Sequence, residues 1–294
     1  AVVAGAVPVP AAYSVTVAGS ASAYALAHSA NQVTLNLSGG GLTLFAPAQD
    51  AVAPLDVTGT PASDPRLIIR TTGVVPRTMS AGAGSVAQSV GSIGALTVQG
   101  PRITLALTDR LVVGGAGSGS LTVRTQGVLD TPALVLGDTT GSSATALVQD
   151  AGSVLAFGES GRDAVIGAQG AGALHVTAGG IVGTVSDARD VVLGQSVGAI
   201  GTLSLAGVGT QGVIGCDRFI VGDAGAGVLS LSAGAELFTA SASGVVLGRQ
   251  AGSSASVTIG SSTTSGSGGS IGRACDEGAL RCRDIGIIAP EVRA

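Results

Sequence analysis

The chain has 294 residues, 45% of them hydrophobic and only 11% charged, with 14 basic and 18 acidic side chains for a formal net charge of -4. Every basic residue is arginine, so no Schiff-base or phosphate-loop lysine exists, and no basic cluster in the sequence points to nucleic acid or an anionic membrane as a main partner. Glycine contributes 49 residues and aromatics 2%, yet the apolar residues are periodic, which excludes the disorder of polar, highly charged chains.

Residues 1–12 are apolar but carry Pro8 and Pro10, and read as an extended arm laid on another surface. The chain begins Ala1-Val2 without Met, which implies either a trimmed initiator or a longer signal already removed. Tyr13 to Val17 alternates as a strand. Residues 21–30 (ASAYALAHSA) are either a short helix capping the first coil or another irregular turn. Residues 33–37 and 42–44 read as strands. Residues 46–65 hold Pro47, Pro54, Pro61 and Pro65 with Asp50, Asp56 and Asp64, which predicts an excursion out of the stack. Residues 67–69 return to strand pattern.

From residue 90 the sequence repeats itself. Apolar triplets end in glycine at Leu111-Val112-Val113-Gly114, Leu134-Val135-Leu136-Gly137, Ala164-Val165-Ile166-Gly167, Val191-Val192-Leu193-Gly194, Phe219-Ile220-Val221-Gly222 and Val245-Val246-Leu247-Gly248. Alternating runs such as Leu121-Thr122-Val123 and Leu203-Ser204-Leu205 follow most of them, and Val90-Gly91 reads as an earlier copy. The steps from Gly91 are 23, 23, 30, 27, 28 and 26 residues, the period of a solenoid. Each copy holds three strand-like pieces, as in 191–193, 202–205 and 212–214. Helical repeats are excluded by the glycine density, and a propeller blade requires a period above ~40 residues. The expected fold is one all-β domain, a right-handed parallel β-helix with about three short strands per turn around a thin aliphatic column. The divisions expected are an arm and cap over 1–45, the excursion and first turns over 46–89, repeat turns over 90–260, and a flexible loop with a charged cap over 261–294.

The pattern of two aliphatics and Gly, a small-residue turn, then Gly-x-Leu-x-Val resembles the strand repeats of bacterial autotransporter passenger domains. The resemblance covers roughly 90–260 and, more loosely, 13–45. It implies a β-helix displayed on a bacterial surface. The sequence holds no C-terminal membrane barrel of the kind that secretes such passengers, so a cleaved piece or a free-standing protein is expected. Similar β-helices build phage fibres and spikes.

Several motifs match catalytic patterns but lack their context. Gly194-Gln195-Ser196-Val197-Gly198 fits G-x-S-x-G, but no helix is expected after it. Gly207-Val208-Gly209-Thr210-Gln211-Gly212 fits G-x-G-x-x-G, but strands follow. His28 and His175 lie far apart, and His175 takes the outward place of Thr97, Thr122, Ser204 and Ser230, so no metal site is expected. Glu159 and Glu236 lie in separate copies, and Phe157, Phe219 and Phe238 read as core rather than as sugar platforms. No catalytic residue, cofactor or metal is expected.

Charge pairs precede four triplets: Asp109-Arg110, Arg162-Asp163, Arg189-Asp190 and Asp217-Arg218. Stacking in register would set Arg189 over Asp217 and Asp190 over Arg218, an edge ladder that fixes register where glycine-rich strands slip. Cys275 and Cys282 enclose a short polar loop and pair in an oxidising compartment, leaving Cys216 free. No run reaches the ~18 apolar residues of a membrane-spanning helix. The function expected is a non-enzymatic structural and adhesive module outside a bacterial cell. Its partner would be a surface glycan, a protein receptor or further copies of itself, within a larger assembly. A virion fibre or decoration protein and a polysaccharide-degrading enzyme are the alternatives.

Overall fold

The computed structural model describes residues 13–267 apart from 24–25, 30, 40, 45–54, 72–74, 159–160, 185–187, 242–243 and 261. Among the described residues every regular element is a strand, and no helix is long and apolar enough to cross a membrane. The strands stack as a parallel β-solenoid of about eight coils with about three strands per coil.

Each coil visits three faces. The first carries the alternating runs, for example Ser118–Arg124, Ser143–Gln149 and Ala171–Thr177. The second carries shorter strands such as Val128–Thr131, Val154–Phe157 and Ile181–Thr184. The third carries the triplets, as in Ala133–Leu136, Ala164–Ile166 and Ala188–Leu193. One long strand, Gln211–Val221, passes through the second and third faces without a break. Pairing is in register from coil to coil, so Leu121 lies on Leu96 and Leu203 on Leu174.

Alternation turns every second residue inward, and the stack then places like on like. Leu96, Leu121, Leu174 and Leu203 form one inward row, each 0–1% exposed. A single apolar cluster runs from Val33 to Ala255 and includes Phe157 and Phe219.

The glycine ending each triplet makes the corner between the third and first faces. Gly194 has φ +70, and a Cβ there would sit 2.2 Å from the Ala226 carbonyl oxygen of the next coil. Only a residue without a side chain fits both demands. The same corner closes on a serine turn: the buried Ser92, Ser142 and Ser253 hydroxyls donate to the carbonyls of Ser89, Thr139 and Gln250, each at 2.6 Å.

Five expectations are corrected. The described residues of 21–30 form strands in place of a capping helix: Ala21–Ala23 and Leu26–His28 belong to the second and third faces. The excursion does not extend over 55–65, since Leu55–Val57 already pairs in the stack and 60–64 forms a corner; residues 46–54 lie outside the described ones. The strand in register before Leu111–Val113 is Gly84–Val86, so Gly114 stacks on Ala87 rather than on Gly91. Ala87 takes φ +56 there, and Val90 is 90% exposed on a turn. Ser262–Ser267, expected as loop, pairs antiparallel with Ser254–Ile259 and closes the first face. Phe238 points outward at 41% exposure, because it stands one place out of phase with its inward neighbour Leu237.

Candidate functional site

The third face begins with the charged residues. Register sets Asp163 beneath Asp190 in one column, two carboxylates on adjacent rungs ~4.8 Å apart. Such a pair needs a cation on each member. Arg189 grips Asp163 with both Nε, at 2.8 Å from Oδ1, and Nη2. Arg218 grips Asp190 likewise, with Nε 2.9 Å from Oδ1. The hydrogen bond to its carboxylate holds each guanidinium above the usual arginine range.

The pairing Asp190–Arg218 is thus present, whereas Arg189 reaches back to Asp163 instead of forward to Asp217. Two stacked carboxylates make the stronger draw. Asp217 stands on the outer side, and its carbonyl accepts the Ser241 hydroxyl at 3.1 Å. Arg162 spans two rungs to Asp109, Nη1 to Oδ1 2.6 Å, because Pro132 occupies the rung between. Past the glycine corner, Arg249 clamps the buried Asp223 through Nε and Nη2, both at 2.7 Å, and Gln250 adds a third bond at 2.9 Å.

Between these charged columns runs a feature that sequence reading missed. The middle residue of each triplet points away from the main core, yet Val165, Val192 and Ile220 are buried with Ala168 in a second apolar cluster, with Val135 and Val246 packed on it. The signal lay in the triplets themselves. An apolar residue at all three places, where alternation allows two inward, marks a strand covered on both sides.

The first face presents short side chains outward. One row reads Thr97, Thr122, Leu147, His175, Ser204 and Ser230 from coil to coil. His175 is half-buried in that row, and His28 is buried with Nε2 2.9 Å from the Asn31 carbonyl. Among the described residues no group of three His, Cys, Asp or Glu gathers as metal ligands would. Ser196 sits on a corner, its carbonyl accepting the Ala199 N–H at 2.9 Å, and a strand follows where a nucleophile elbow has a helix. Gly207 to Thr210 is likewise a corner before the strand Gln211–Val221.

Cys216 is buried between Ala188 and Ser241, and burial pushes its thiol up to about 11. A thiol so shifted is a poor nucleophile at neutral pH. Cys275, Cys282 and Glu159 lie outside the described residues. No family model, curated protein or solved structure matches the chain.

Proposed function

We propose that this chain is a non-enzymatic structural and adhesive solenoid, displayed outside a bacterial cell, whose flat repeated faces engage a surface glycan, a protein receptor or other copies of itself. The observation that carries this reading is the outer row of the first face, where the hydroxyl side chains of Thr97, Thr122, Ser204 and Ser230 recur in register, with Leu147 and His175 on the two rungs between. Such a surface offers length and repetition instead of the aromatic and arginine anchors of a compact hot spot. Weak contacts on it add up along the stack and across copies.

The autotransporter-like repeat pattern supports display at a bacterial surface as part of a larger assembly. The test compares free chain with chain arrayed on beads at rising density, presented to panels of immobilised glycans and extracellular proteins. Binding is expected to be weak for the free chain and to strengthen steeply with density. A free chain that binds one small molecule tightly, or turns one over, would overturn the reading.

A further inference from the structure

The second face differs from the other two. Its outer side carries two columns. The first reads Thr78, Thr104, Val128, Val154, Ile181, Gln211 and Glu236 down the stack, and the second runs in register beside it from Ser80 to Phe238. The middle of this surface is aliphatic apart from Asp130. Its lower end exposes Val213 at 49% and Phe238 at 41%.

Charge is also divided along the stack. Residues 66–124 hold six arginines and one aspartate, net +5, while residues 125–267 hold four arginines and ten carboxylates, net -6. Within the coils that carry this face, the upper part is thus basic and the lower part acidic, while residues 13–65 above them hold three aspartates and no arginine.

We infer that the second face is a self-complementary interface, on which a second copy of this chain packs with its stack reversed about a two-fold axis through Val154 and Ala156. An axis lying along the strands sets each column against itself, inverted. Val154 then meets Val154 of the other copy, and Val128 meets Ile181. Thr104 meets Gln211, two groups able to hydrogen-bond. Glu236 arrives at Thr78, beside Arg77 and Arg102, which are joined by a backbone hydrogen bond of 2.8 Å.

The second column matches by size. Phe238 falls on Ser80 and Val213 on Ala106, a large side chain against a small one each time. Gly183, which has no side chain, falls on Asp130. Over the coils that carry the face, reversal also brings the basic part of one copy against the acidic part of the other, whereas a parallel pairing would set like charge on like. The arrangement is isologous and closes at two copies. Its footprint spans six rungs of ~4.8 Å by about 12 Å, near 350 Å² per partner against the ~800 Å² of a stable interface. The dimer is therefore weak and forms at high local concentration.

This interface is separate from the first-face reading above: loss of the dimer would leave adhesion standing, and failed adhesion would leave the dimer. The experiment is sedimentation equilibrium of the full chain from micromolar to near-millimolar concentration. A monomer–dimer equilibrium is expected, weakened by added salt. Because Val154 faces itself, Val154→Asp and Val154→Arg each abolish association, and an equimolar mixture of the two restores it as a heterodimer. Val197→Asp, on an exposed corner of another edge, leaves association unchanged. Melting by circular dichroism accompanies every variant, and if a Val154 variant unfolds, the pair Ala156→Asp and Ala156→Arg replaces it. A wild-type chain monomeric throughout, association indifferent to these charges, open-ended polymers, or a mixture that stays monomeric would each overturn the interface.

Discussion

At the scale of single residues, glycine acts here through two separable demands. Gly194 needs both a left-handed backbone and the absence of a Cβ, since the Ala226 carbonyl lies 2.2 Å from where that atom would be. Gly198, at φ +80 on the neighbouring turn, has open space around it. Gly198→Ala is therefore expected to cost about 1–2 kcal/mol, the left-handed penalty alone. Gly194→Ala should cost clearly more, because backbone must move. Urea denaturation of the two variants measures the difference, and equal losses would show that the close approach is not felt. Cys216 gives a pH signature. Its folded thiol, pushed up to about 11 by desolvation, keeps its proton where the unfolded thiol, near 9.0, loses it. Stability from this residue is full below about pH 9 and declines as pH rises through 11. Cys216→Ala should flatten that decline relative to wild type in thermal melts across the window, and identical profiles would contradict the burial.

At the scale of elements, the ladder on the third face has an asymmetry that the paired charges in sequence do not reveal. The Asp190 side chain is 10% exposed and Arg218 43%. Removing the arginine strands a nearly buried carboxylate directly over Asp163, whereas removing the aspartate leaves a cation that can turn to water. Arg218→Ala is thus expected to destabilise by about 1–3 kcal/mol, and Asp190→Ala by less. The opposite order in chemical denaturation would mean that the stacked carboxylates do not strain each other. Before any coordinates, the triplets and alternating runs located the strands, because inward and outward places alternate with period two. What they could not supply was the alignment at the start of the array. Val90-Gly91 looks like a copy, but Ala87 takes the glycine's backbone in its place, and only the stacking of Val113 on Val86 reveals it. Nor could charge order along the chain distinguish a reach forward to Asp217 from a reach back to Asp163. That choice depends on which carboxylates the fold crowds together.

At the scale of the whole molecule, the stack behaves as one body, because its apolar column is continuous from Val33 to Ala255. Function on this reading belongs to faces rather than to a cleft, and copy number substitutes for affinity. The parallel stacking described above has a mechanical side as well. Its backbone hydrogen bonds point along the long axis, so a pull on the two ends loads them one coil at a time, as in opening a zipper, and never all together in shear. A chain stretched between a cell and a surface should yield in small, evenly spaced events. Each would release one coil of about 27 residues, or about 90 Å of extended chain. Force spectroscopy on the full chain is expected to show that regular sawtooth at low force. A single large rupture would instead mark a body that shears as a block. A tether of this kind lengthens under load and can refold coil by coil when the load falls, so it absorbs a tug without letting go.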